Sequence, residues 1–234
     1  MGRELTAPDR EKRKRILLIA ATAAAIAAFV LSLVFIARIN GWLYSKNEIE
    51  LLTIVDSETP VGEYDQTLTM FDDEHMIDSR CAAELEKMLA DCRAAGCEPA
   101  VTAAFLSENE QRELFNSIVE GYIASGFDED TAKRLAELET AKPGHSEHQL
   151  GLAVDIADAS ASDTPAAQAA SKTNRWLCEN SWKYGFILRY PEGGGAITGR
   201  GFVPTHFRYV GPEAAEQIHE LDVTLEEYVK MFYS

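Results

Sequence analysis

Residues Ile16 to Ala37 carry no charged side chain, an apolar run of 22 residues directly behind Arg10, Lys12, Arg13, Lys14 and Arg15. As a helix rising about 1.5 Å per residue, such a run spans a hydrocarbon core of about 30 Å. The basic flank places the N-terminus in the cytoplasm and everything after the run outside. A cleaved signal peptide is the rival reading. Its apolar region is usually about 7–15 residues long and ends in a small-x-small cleavage site. Phe35-Ile36-Ala37-Arg38-Ile39-Asn40 offers no such site. The expected organisation is a cytoplasmic tail (1–15), a single-pass signal-anchor in the cell membrane (16–38), a spacer (39–66) and one extracytoplasmic domain (67–234).

The segment up to Arg38 holds 7 of the 22 basic residues and 3 of the 38 acidic ones, so the remainder has 15 basic against 35 acidic, a net charge of −20. A domain so acidic repels nucleic acid and anionic lipid, and DNA or RNA binding is excluded as a function class. Cys81, Cys92, Cys97 and Cys178 lie on the side where disulfides are permitted. Cys81 and Cys92 fall on one helical pattern, too far apart along its axis to be bridged, and the pairing stays open. None of the four has CxxC spacing, which argues against a thiolate-metal or redox centre.

Along the domain, Asp78-Ser79 offers a helix start, and Leu85, Met88, Leu89 and Cys92 recur at helical spacing until Gly96. Residues 100–105 look like a short buried strand, and 108–123 and 130–138 like two amphipathic helices separated by Gly126. Strand patterns follow at 151–157, 185–190 and 207–210, with a helix over 173–184. In an extended 151–157 segment, Ala153, Asp155 and Ala157 share one face, which leaves room beside Asp155. Helices gathered around a few strands make the fold class α+β.

His148 and Asp155 stand seven positions apart, and His206 supplies a second imidazole. Two histidines and a carboxylate suit zinc, and three protein ligands with a fourth position left to water is the arrangement of a catalytic zinc. Each of the three alone reads equally well as a loop, cap or strand residue; the set is what points to a metal. His75, His145 and His219 read as surface residues, with His145 near enough to be a spare ligand.

Five ordered blocks carry a resemblance. They are Pro143-Gly144-x-Ser146-Glu147-His148-Gln149-x-Gly151-x-Ala153-Val154-Asp155-Ile156, Trp176-Leu177-x-Glu179-Asn180, Lys183-Tyr184-Gly185-Phe186-Ile187-x-Arg189-Tyr190-Pro191, Ile197-Thr198-Gly199 and His206-x-Arg208-Tyr209-Val210-Gly211. They resemble the VanY-type D-alanyl-D-alanine carboxypeptidases, zinc enzymes that trim the terminal D-alanine from bacterial cell-wall stem peptides, from about Asp78 to Gly211. The resemblance implies that His148, Asp155 and His206 hold zinc, that Ser146 and Arg208 flank the site as substrate-binding residues, and that the ligand is a peptidoglycan stem peptide or a related D-amino-acid peptide.

The departures fall where the chemistry is expected. The family's Glu-Pro-Trp-His segment reads Val203-Pro204-Thr205-His206, so the general base is replaced by a side chain that accepts no proton. General acid-base assistance contributes roughly 10²–10⁴ in rate. The family's Tyr-Arg-Ser/Thr motif, with its carboxylate-binding arginine, reads Phe105-Leu106-Ser107, and the small polar pair before it reads Ala103-Ala104, while Gln111 is retained. Leucine has none of the forked donors that grip a carboxylate. No catalytic residue is assigned. The expectation is a membrane-anchored zinc domain with hydrolysis lost or much reduced. The rivals are a working peptidase that uses another carboxylate, such as Glu192 or Glu147, and a metal-free interaction domain.

Overall fold

The computed structural model describes residues 49–233 and Ser32. Apart from Ser32, the apolar run expected to cross a membrane lies outside the described residues, among which no helix is long and apolar enough to do so. From Glu50 onward the chain forms one compact unit.

Its centre is a four-stranded sheet made of β3 (Pro99–Ala103), β4 (Ala153–Asp158), β5 (Phe186–Tyr190) and β6 (Val203–Tyr209), in the order β3-β4-β6-β5. Every pairing is antiparallel. Because side chains alternate along a strand, Val154, Ile156 and Phe207 enter the main core with Leu85, Met88 and Leu89 of helix α1 (Ser79–Ala94). Asp155 and His206 take the opposite face. A small hairpin, β1 (Leu68–Met70) with β2 (Met76–Asp78), leads into α1. Asp78 caps that helix by accepting from the Arg80 amide.

Helices α2 (Glu108–Ala124) and α3 (Glu129–Glu139) close a small core of their own, with Phe115 and Val119 against Ala132 and Ala136. After β4 come α4 (Pro165–Ala170) and α5 (Lys172–Asn180), then a short α6 (Gly195–Thr198) between β5 and β6. The chain ends in α7 (Pro212–Leu221) and α8 (Leu225–Phe232), where Ile218, Leu225 and Tyr228 pack with Ile187 and Val210.

The structure differs from the sequence expectations at the edges. Strand β6 begins at Val203, four residues before the expected 207, because Val203 pairs with Tyr190 beyond an irregularity in the β5–β6 register. The helix expected over 173–184 stops at Asn180 and finishes as a 3-10 turn over Ser181–Tyr184. Within the expected spacer, Leu51, Leu52 and Val55 are buried in the domain. The cysteines stand as free thiols, with Cys81, Cys92 and Cys97 buried and Cys178 exposed.

Candidate metal site

His148, Asp155 and His206 come together with one ligand atom each, all within 4.8 Å of one another. Sheet register supplies two of them, since Asp155 of β4 stands directly opposite His206 of β6. The third comes from a 3-10 turn, Glu147–Leu150, that runs into β4. That turn ends at Gly151 with φ +70°, where a Cβ would lie 2.9 Å from the Leu68 side chain and 3.1 Å from the Asp78 amide. Only glycine takes this backbone conformation without strain in so little space.

The two imidazoles face the cluster through different nitrogens. His148 gives Nδ1 to the Ala104 carbonyl at 2.7 Å, which leaves Nε2 at 3.5 Å from Asp155 Oδ2. His206 turns Nδ1 toward Asp155 Oδ1 at 2.8 Å, with Nε2 3.4 Å from Glu147 Oε2. Each ring thus has one nitrogen fixed by a partner outside the set and one directed at the shared space, the arrangement that orients metal-binding histidines. Burial raises the pKa of Asp155, but attraction to His148 and the hydrogen bonds from both histidines outweigh it and hold the carboxyl well below its usual range. The donor types, spacing and second partners fit a divalent zinc ion. When bound, zinc supplies a Lewis acid that polarises a carbonyl and makes a water molecule more acidic.

Glu147 lies behind His206, almost wholly buried. Its Oε1 is 2.8 Å from Arg189 Nε and 2.8 Å from Arg208 Nη1. The second contact is one of charge, since that Nη1 completes no hydrogen bond of proper angle. Burial would raise the Glu147 pKa, but Arg189, then Arg208 and His206, hold it far below the usual carboxylate range. Arg189 also forks onto both carboxylate oxygens of Glu226 in α8. For His206, burial opposes the cation, and the hydrogen bonds to Asp155 and Glu147 prevail to raise its pKa.

The other sequence candidates are placed as follows. Arg208 is fully buried; its Nη2 donates to the Leu51 and Thr53 carbonyls, each at 3.0 Å, and it meets the metal set through Glu147. Ser146 is buried at the start of the ligand turn. Leu106 is tied to that turn by its amide, 3.4 Å from the His148 carbonyl, and lines a cleft of about 240 Å³ with Tyr64 and Gln149. Gln111 is spent on Thr140 and Ala141. Val203 holds the first position of β6 as an apolar side chain. Glu192 lines a separate cavity with Trp182 and His219. His145 bonds the Asp56 carbonyl, and His75 pairs with Asp72.

The sequence points to Glu147 only as a rival base and gives Arg189 and Glu226 no role. Glu147 could have been found from its place between Ser146 and His148. Glu226 carried no signal, because its partner lies 37 residues away in the chain.

Comparison with known proteins agrees with this geometry. Residues 74–212 match the family VanY, D-alanyl-D-alanine carboxypeptidase. A D-alanyl-D-alanine carboxypeptidase of Enterococcus faecalis is 38% identical over 179 residues, which are 76% of this chain and 65% of that protein. The crystal structure of a variant of the vancomycin-resistance D,D-pentapeptidase VanY in complex with Zn(II) superimposes with a TM-score of 0.69 at 37% identity, covering 77% of this chain and 99% of that one. VanYB in complex with D-alanine-D-alanine gives the same TM-score of 0.69 at 37% identity, covering 77% and 98%. With its His-Asp-His cluster, its antiparallel sheet and a family match over more than half its length, the chain belongs to the VanY D-alanyl-D-alanine carboxypeptidase family.

Proposed function

We propose that this protein is a membrane-anchored, extracytoplasmic zinc domain that binds peptidoglycan stem peptides ending in D-amino acids and hydrolyses them very slowly or not at all. The observation that carries the reading is the state of the carboxylates around the metal set. The ring partners of His148 and His206 are Ala104, Asp155 and Glu147. Asp155 is a ligand, and Glu147 is held by two arginines that keep it ionised and a poor acceptor of protons. The rival in which Glu147 or Glu192 replaces the base is disfavoured by that engagement and by the separate cavity that Glu192 lines. Binding of a D-alanyl-D-alanine peptide is supported by the likeness to VanYB, which holds that dipeptide. Anchoring is supported by the basic flank and the apolar run of residues 16–37.

A four-member kinetic cycle on a stem pentapeptide tests the reading. The unmodified chain should turn over barely above background. Val203→Glu alone should help little while the peptide is misplaced. Val203→Glu with Leu106→Arg should exceed the product of the two single effects, as groups acting together do. Brisk, chelator-sensitive turnover by the unmodified chain would overturn the inactive reading.

A further inference from the structure

Tyr190 links the metal set to a second cluster of charge. Its ring centroid lies 5.2 Å from that of His206, and the guanidinium carbon of Arg200 lies 5.6 Å from the Tyr190 centroid. Beside that ring is a cavity of about 60 Å³ lined by Arg200, Lys142, His145, Tyr190, Asp56 and Glu137 among others. That space is large enough for a small charged group such as a carboxylate.

Both cations there are tied to main chain: Arg200 Nη2 donates to the Glu139 carbonyl at 3.0 Å, and Lys142 Nζ to the Ser57 carbonyl at 3.2 Å. Each keeps further N–H donors, and among the described residues neither forms a salt bridge with a carboxylate. The cavity also has two acidic neighbours, Asp56 and Glu137. Asp56 Oδ1 is occupied by the amides of Glu58 at 2.8 Å and Thr59 at 2.7 Å, and Glu137 sits on the exposed side of α3. Their charge disfavours a phosphate dianion more than a carboxylate.

We propose that Arg200 and Lys142 form a carboxylate subsite one aromatic ring from the metal set. It takes the free carboxylate of a short peptide, the group that Leu106 cannot hold, and to that extent it rests on the peptide-binding reading above. Arg200 gives the planar fork that pairs with two carboxylate oxygens, and Lys142 adds a point charge.

The test is calorimetric titration of the zinc-loaded full chain with N-acetyl-D-alanyl-D-alanine and with its C-terminal amide. The acid should bind at least about tenfold more tightly than the amide, the scale of one charge-assisted contact. Arg200→Gln should cut that preference to about twofold, Arg200→Lys should keep an intermediate one, and Lys142→Ala should lower it modestly. Zinc content and melting temperature should match the parent in all three, so a general structural defect would be visible. Full preference for the acid in a folded, zinc-replete Arg200→Gln chain overturns the subsite. If neither peptide form binds, the peptide reading fails, and labelling of Arg200 by phenylglyoxal then decides. Protection by acetate, beyond that by acetamide or inorganic phosphate, supports the subsite, and equal rates overturn it.

Discussion

Glu147 is next to one metal ligand in sequence and against another in space, so a single carboxylate orients His206 while standing against two buried guanidinium groups, one of which it shares with Glu226. Removing one partner from a buried ionic cluster leaves the others uncompensated, commonly at about 3–5 kcal/mol. Glu147→Gln keeps the shape and a hydrogen-bonding group but removes the charge. It should lower unfolding stability by an amount of that order, read from urea denaturation. It should also weaken zinc by about 10–100-fold, as lost partners of metal-binding histidines do, read by competition with a chelator. Unchanged zinc affinity would mean that the Glu147–His206 contact does not orient the ring.

At the scale of elements, the clearest pH-dependent joint lies between β4 and α5. Asp158, at the end of β4, accepts from the Ser160 amide and hydroxyl at 2.9 and 2.5 Å, and from the Thr173 amide and hydroxyl at 3.2 and 2.7 Å. Burial pushes its pKa up, but these hydrogen bonds outweigh it and bring the value down to about 2. A carboxyl whose folded pKa lies below the unfolded value of about 3.9 stabilises the fold above that value, and loses the contribution as pH falls through its folded pKa. Asp158→Asn should therefore lower the melting temperature at pH 7, and the gap from the parent should shrink steadily between about pH 4 and about pH 2. A gap that stays constant over that range would remove Asp158 as the titrating group. Melting the chain at a series of pH values suffices to tell.

Over the whole molecule, the metal and the proposed membrane anchor are the two levers. A ligand that binds the native state alone stabilises it by mass action. Zinc should therefore raise the melting temperature, and His206→Ala should abolish most of that rise, alongside a fall from about one zinc per chain by elemental analysis. Equal melting points with zinc, with chelator and in the variant would count against the metal reading. For topology, protease added to intact cells should digest the domain and spare an N-terminal tag; the reverse pattern would refute the orientation.

What the sequence revealed follows the range of the interactions concerned. Helix α1 was legible because its apolar residues repeat locally and Asp78 caps it. The metal set was legible because His148 and Asp155 are seven apart and His206 completes a known pattern. Helices α7 and α8 carry local signals of their own, Pro212 at the start of one and the Thr224–Glu227 capping box of the other, but they lie beyond the last block of the resemblance at Gly211. The Arg189–Glu226 pair was out of reach for another reason, since it exists only once α8 packs near β5. Strand β6 lost its first residues to the same cause: Val203 is strand by virtue of Tyr190, not of its own neighbours.

The direct opposition of Asp155 and His206 across β4 and β6 has a consequence for how the chain reaches its native form. Side chains alternate between the faces of a sheet, so a slip of one residue in that pairing would send one ligand to the far side from the other. A misaligned sheet could then offer the ion a histidine or a carboxylate, but not both together with His148. Zinc would act as a proofreader of strand alignment: it adds its binding energy only to chains paired correctly, and so penalises near-miss folds that bury almost as much apolar surface.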